Sequence, residues 1–242
     1  TAVVNVVGLA ALPANEVQKV ASVVTNGTGL TINVAGGNTV IGAIGGVNLD
    51  DVALNTANNL TITNTVTLAG LETFDASGVV GDLTMALSGA ADGAGFAFTA
   101  ADGTTTLTLN GVTAGTHSSF SADAAANFNL VVRGEGASDL SKATLTNVDT
   151  VSLGKVGDSG ATVTLSAAQA LDIGLADIKL GHPGIDGTLN IVNLGNQAFS
   201  AADLGAGVEL GTVTIAAGNV TLNAATVLTD ATVTVAAGST LT

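Results

Sequence analysis

Alternation with a period of two residues runs through this chain in short bursts, and it restricts the fold more tightly than any motif. Leu30-Thr-Ile-Asn-Val34, Leu60 to Leu68, Thr106 to Leu109, Ala161-Thr-Val-Thr-Leu165, Thr188-Leu-Asn-Ile191, Thr212-Val-Thr-Ile215 and Thr232-Val-Thr-Val235 all read this way. In most of them aliphatic side chains point one way and Thr or Asn the other, the pattern of a half-buried strand. Gly, Asn, Asp or Ser closes most runs, and such residues supply the backbone freedom that tight corners need. One helix is expected over residues 13 to 24, where Pro13 suits a first turn and Val17, Val20 and Val24 fall at helical spacing.

The core material is aliphatic. Six Phe stand in 242 residues with no Trp and no Tyr, while Gly takes 32 positions. Compact cores usually recruit bulky aromatics, so a thin, extended core fits this composition better. The segment Val213-Thr-Ile-Ala-Ala-Gly-Asn219 returns as Val233-Thr-Val-Ala-Ala-Gly-Ser239, twenty residues later. A second echo, 77 residues apart, joins Leu68-Ala-Gly-Leu-Glu-Thr-Phe74 to Leu145-Thr-Asn-Val-Asp-Thr-Val151. A third links Phe98-Thr-Ala-Ala-Asp102, Leu165-Ser-Ala-Ala-Gln169 and Phe199-Ser-Ala-Ala-Asp203. In this last group Ser or Thr precedes an acid or amide by three residues, as in a capping box, so each copy reads as strand, corner and one helical turn.

The expected fold is therefore all-β. It is an elongated β-solenoid, parallel β-helix-like, at least in the C-terminal part, with a β-sandwich or irregular β portion as the competing reading of the middle. The chain divides on this reading into an N-terminal segment at 1–27 with the short helix, a β-rich repeat region at 28–135, and a solenoid repeat region at 136–242. Turn formers cluster near the second boundary in Arg133-Gly-Glu-Gly-Ala-Ser138.

Charge and composition exclude several functions. Five Lys plus Arg face nineteen Asp plus Glu, a net charge of −14, which is no footing for nucleic acid. No run of about 20 apolar residues exists to span a membrane as a helix. Without Cys there is no disulfide framework and no thiolate metal site. The chain lacks an initiator Met and ends in mid-pattern, which reads as a mature or excised portion of a longer polypeptide. His117 and His182 are the only imidazoles and both sit in turn contexts, so a catalytic zinc site is not expected. No Gly-x-Ser-x-Gly elbow or phosphate-binding loop occurs. Solenoid enzymes that cleave sugars usually use aromatic platforms, and Trp and Tyr are missing. No catalytic residue and no organic cofactor are expected, and the chain is read as no enzyme.

Two constellations remain. Calcium takes six to eight oxygen ligands, and the acids offer candidates: Asp50 and Asp51 in Asn48-Leu-Asp-Asp51, then Glu72 and Asp75 around a strand start, with Asp149 repeating the position of Glu72. Asp92 and Asp186 lie beside glycines. Solvated surface acids are the plain alternative for each. The Thr-x-Thr pairs, among them Thr61 with Thr63, Thr162 with Thr164, Thr212 with Thr214 and Thr232 with Thr234, suggest hydroxyl arrays that order water or bind ice. Against this, the intervals between the pairs vary widely, and an ice-binding plane needs a constant rung.

The phrases Gly-Leu-Glu-Thr-Phe-Asp-Ala-Ser, Asn-Val-Asp-Thr-Val-Ser-Leu, Val-Thr-Leu-Ser-Ala-Ala-Gln and Val-Thr-Val-Ala-Ala-Gly-Ser-Thr-Leu-Thr resemble the strand-repeat regions of bacterial surface-layer proteins. They also resemble large secreted adhesins of the repeats-in-toxin type. The likeness is one of style and composition, over roughly residues 60 to 242. It implies a secreted protein at the cell surface that assembles with copies of itself or adheres to surface polysaccharide, often ordered by calcium. The hallmark nonapeptide Gly-Gly-x-Gly-x-Asp-x-hydrophobe-x is absent, since Gly36-Gly37 and Gly45-Gly46 lack the required continuation. The group's strongest calcium argument therefore does not carry over. The expected function is a building block of a surface layer, filament or matrix fibre, with a calcium-dependent polysaccharide-binding adhesin as the alternative and ice binding behind both.

Overall fold

A computed structural model of the chain describes residues 1–7, 17–91, 95–158, 160–182, 187–193, 198–199, 212–222, 232–235 and 240–241, with side chains described through residue 192. Every strand pairing it specifies is parallel, and the chain winds as a β-solenoid. Contacts divide it into two interleaved units. One comprises Thr1–Thr108, Gly115–Asn129 and Ala143–Val148, and the other Leu109–Ala114, Leu130–Lys142 and Asp149–Thr242.

In the first unit a seven-stranded parallel sheet runs through Ala2–Val7, Gly29–Ala35, Asp51–Thr56, Thr73–Val79, Ala97–Thr99, Ser119–Ser121 and Thr144–Thr146. Leu30, Val52, Phe74, Phe98, Phe120 and Leu145 share one register column. Their neighbours two residues along, such as Ile32 and Leu54, share another. A parallel strand buried on one face needs this alternation, because a slip of one residue would turn every apolar side chain outward. A second wall stacks Gln18–Val20, Thr39–Ile41, Leu60–Ile62 and Leu83–Ala90. Val23–Thr25 pairs with Ile44–Gly46 at a third side.

The aromatics are gathered rather than absent from the core. Phe98 stacks on Phe74 at 5.8 Å and on Phe128 at 5.7 Å, and lies 6.4 Å from Phe120, which meets Phe96 edge-on at 5.8 Å. All five are buried. The aliphatic rungs toward residue 30 are narrow, whereas the rungs from residue 74 to 128 are filled by rings. The low aromatic count thus reflects chain length spent on thin rungs, with the ring volume placed in one stretch.

In the second unit Ala161–Ser166, Gly187–Asn193, Thr212–Leu222 and Thr232–Val235 stack in register. Val163 and Leu165 are buried there, while Thr162 and Thr164 are half-buried. Thr150–Leu153 pairs with Ile178–Leu180 on another side. Ala167–Ile173 is the single helix among the described residues, and a 3-10 turn, Leu175–Asp177, follows it.

The structure departs from the sequence reading at two places. Over the part of 13–24 that is described, the chain forms the strands Gln18–Val20 and Val23–Thr25 in place of a helix; residues 13–16 lie outside the described residues. The helical spacing of Val17, Val20 and Val24 has no shared face to bury, since Val17 is 41 % and Val24 66 % exposed. β-branched side chains fit the pleated wall instead. The middle of the chain is no sandwich: its strands join the same parallel stacks as the rest, with turns of variable length. One turn consumes 21 residues between Gln18 and Thr39, 22 between Asn33 and Asn55, and 26 between Thr164 and Asn190.

Candidate functional site

The four acids proposed for calcium fall on two consecutive turns of the first unit. Asp50 closes a corner, and its carbonyl accepts the N–H groups of Glu72 at 2.7 Å and Thr73 at 3.0 Å from the next turn. Asp51 opens its strand in register with Thr73, whose hydroxyl donates to Asp51 Oδ1 at 2.6 Å. Asp75 lies two residues beyond Thr73 and accepts the Ser77 N–H at 2.9 Å, closing its own turn. Asp51, Glu72 and Asp75 are exposed and Asp50 is half-buried. The coil therefore brings the four acids side by side, but one carboxylate is spent on a hydroxyl and another on a backbone N–H. No group of three or more His, Asp or Glu converges to a metal-binding arrangement among the described residues.

Asp149 opens the Thr150–Leu153 strand as Glu72 precedes Thr73–Val79, yet the two strands lie in different sheets. The echo that joins them encodes the corner before the strand. Gly70 has φ of 78° and Asn147, at the matching place, has φ of 55°, the one non-glycine in the left-handed region among the described residues. Asn tolerates that conformation better than most residues, and Asn147 Nδ2 donates to the Ala122 carbonyl at 2.7 Å. His117 and His182 are both exposed. Asp92 and Asp186 lie outside the described residues.

Polar side chains are used mainly to tie one turn to the next. Asn55 Nδ2 donates to Asn33 Oδ1 at 2.9 Å, and Asn33 Nδ2 donates to Asn5 Oδ1 at 2.9 Å. The ladder stops at Gly78, where a Cβ would stand 2.0 Å from Asn55 Oδ1, so only glycine fits the next position. At a neighbouring corner Asn59 Oδ1 accepts the Asp82 N–H at 2.9 Å, and Asp82 Oδ1 accepts the Thr104 N–H at 2.9 Å. Buried hydroxyls do the same within the core: Ser118 Oγ accepts from Phe96 N at 3.2 Å, and Ser138 Oγ accepts from Val112 N at 3.1 Å. Each satisfies a backbone N–H that would otherwise be costly to bury.

The densest polar centre was not legible in the sequence. Arg133, the chain's one Arg, donates from Nε to Asp158 Oδ1 and Oδ2 at 3.0 and 2.9 Å, and from Nη2 to Oδ1 at 2.8 Å. The Asp158 side chain is 3 % exposed and also accepts the N–H of Lys155 at 2.8 Å and of Gly134 at 3.3 Å. The hydrogen bonds from Arg133 hold the Asp158 carboxyl below its usual range, and the same bonds raise Arg133. This is a closed knot in the second unit. Every donor of the carboxylate comes from its own turn or the adjacent one, and this leaves no lone pair aimed at a substrate.

A shallow pocket of about 90 Å³ lies in the first unit, lined by Ile44, Gly45, Gly46, Leu49, Val66, Thr67, Ala69 and Leu71. It carries no titratable group and is far smaller than the roughly 300–1,000 Å³ of a typical ligand cleft. Among the described residues no helix is long and apolar enough to cross a membrane. Comparison with protein-family models, with curated proteins and with solved structures returned no match.

Proposed function

We propose that the chain is a non-enzymatic structural module of an extracellular assembly at the cell surface, built to pair with further copies of itself. The observation that carries this reading is the use of polar side chains. Asn5, Asn33, Asn55, Asn59, Asp82, Arg133 and Asp158 bond from turn to turn, so the chemistry of the chain is directed at stacking β-layers on β-layers. A stack that ends in open strand edges offers the same bonding to another chain. Calcium enters as a modulator: Asp50, Asp51, Glu72 and Asp75 present carboxylates on adjacent turns that a divalent ion would draw together. Negative-stain microscopy of the purified protein, with calcium and with a chelator, tests the proposal. Filaments or sheets in either condition support it, and a strict monomer at high concentration in both refutes it.

A second reading, ice or ordered-water binding, is favoured by one specific feature. The Thr pairs are in register although their spacing in the sequence varies: Thr162, Thr188, Thr212 and Thr232 share one column, and Thr164, Asn190, Thr214 and Thr234 the next. The corners absorb the unequal intervals, which removes the objection drawn from the sequence. Thermal hysteresis at millimolar protein is the measurement, and its absence ends this reading.

A further inference from the structure

We infer that the strand Ala2–Val7 is a two-fold edge at which two copies of this chain join head to head in antiparallel pairing. The inference rests on the assembly reading above and names one of its junctions. Among the described residues Ala2–Val7 pairs on one side only, with Gly29–Ala35. Its sequence, Val3-Val-Asn-Val-Val7, reads the same in both directions about Asn5. An isologous interface requires a patch that complements itself under a two-fold rotation. Antiparallel pairing centred on Asn5 meets that requirement residue by residue. Val3 faces Val7 of the second copy, Val4 faces Val6, and Asn5 faces Asn5.

The exposure fits such a partner. Val3 is 60 % and Val7 80 % exposed, and Val4 and Val6, which continue the apolar inner face, are only half-buried. A second copy would cover both faces at once. Charge also permits it. The chain carries −14 overall, yet Thr1 to Val7 holds no charged side chain, so the two-fold axis brings no like charges together. The asparagine ladder ends here as well: Asn5 Oδ1 accepts from Asn33, while its own amide nitrogen has no partner among the described residues. Asn5 of the second copy supplies the acceptor. Head-to-tail stacking of parallel turns would not bring Asn5 opposite itself, so the two modes separate experimentally.

The chain has no cysteine, so single introduced thiols report the register. Residues directly opposed in an antiparallel pair have Cα atoms about 4.5–5.5 Å apart, inside the roughly 4.4–6.8 Å window of a disulfide. Asn5→Cys in the full chain, mildly oxidised, is expected to form a covalent dimer on a non-reducing gel. Val3→Cys and Val7→Cys are each expected to remain uncrosslinked alone, since like positions then lie about 14 Å apart, and to crosslink when mixed. Val47→Cys, at a position 85 % exposed, sets the rate of random collision. The inference is overturned if Asn5→Cys crosslinks no faster than Val47→Cys, or if Val3→Cys alone crosslinks as fast as Asn5→Cys. Filaments in the microscope without the Asn5→Cys dimer overturn this junction and leave the assembly proposal standing. A dimer that never extends supports the junction and refutes the lattice.

Discussion

Replacing Arg133 by Met tests whether the turns are held by their polar knots as well as by their core. Methionine retains much of the apolar stem and removes the guanidinium. Asp158, 3 % exposed, would then keep only the N–H groups of Lys155 and Gly134. Breaking a buried ion pair from one side costs about 3–5 kcal/mol. Arg133 is itself 25 % exposed, so solvent screens part of the loss and the lower end, about 3 kcal/mol, is expected at pH 7. The pH dependence supplies the sign. Arg133 lowers the folded-state pKa of Asp158, so this stabilisation is complete above the unfolded value of about 3.9 and is lost as pH falls through the folded value. In Arg133→Met the carboxylate is buried without its cation, and protonation relieves it. The gap between the two proteins should therefore shrink on going from pH 7 to pH 3. Urea unfolding followed by far-ultraviolet circular dichroism at both pH values measures it. A gap below about 1 kcal/mol at pH 7, or one unchanged at pH 3, would refute the reasoning.

Phe98→Ala should cost about 3–5 kcal/mol, because Phe98 is fully buried and touches the rings of Phe74, Phe120 and Phe128; Phe98→Leu should cost clearly less in the same urea assay. Gly78→Ala should destabilise by about 1–3 kcal/mol, since its Cβ meets Asn55 Oδ1 at 2.0 Å and the Leu54 carbonyl at 2.8 Å, and Asn55→Gly should recover part of that loss in a double-mutant cycle. Ser166→Ala should cost about 1 kcal/mol by removing the acceptor for the Gln169 N–H at the start of Ala167–Ile173, and Ser166→Thr should restore most of it.

What the sequence made legible is the strand and its polarity; what it hid is the turn that joins one strand to the next. The tail repeat marks one turn of the coil, with Val213, Thr214 and Ile215 in register with Val233, Thr234 and Val235. The capping box of Leu165-Ser-Ala-Ala-Gln169 starts a helix, with Ser166 Oγ accepting the Gln169 N–H at 3.2 Å and Gln169 Oε1 accepting the Ser166 N–H at 2.7 Å. The copy at Phe98-Thr-Ala-Ala-Asp102 makes only a corner. There the Ala101 N–H goes to Thr105 Oγ1 at 2.9 Å, so the hydroxyl on the far side of the turn replaces the helix as acceptor. The copy at 199–203 extends outside the described residues. Of the acids, Asp50, Asp51, Glu72 and Asp75 were rightly seen as related by position, because consecutive turns carry them. Nothing local marks Asp158, whose partner lies 25 residues away.

Register and period are separate properties in this fold, and that separation explains both the regular structure and the blurred repeat. A strand residue is fixed by what lies above and below it: Val52 must meet Leu30 and Phe74, and Asn33 must meet Asn5 and Asn55. A corner has no such duty and takes insertions freely, because loop closure costs grow only slowly with length. The turns consequently range from 21 residues to 28 without loss of alignment. A search for a constant period sees noise where the stacking is in fact continuous. The tokens that do travel are those a corner cannot do without. The left-handed residue is one: Gly70 and Asn147 occupy it in two different sheets, inside the same Leu-x-x-aliphatic-acid-Thr frame. Such a chain is read better by its corner residues than by its spacing, since the backbone geometry of the corner, unlike its length, admits few side chains.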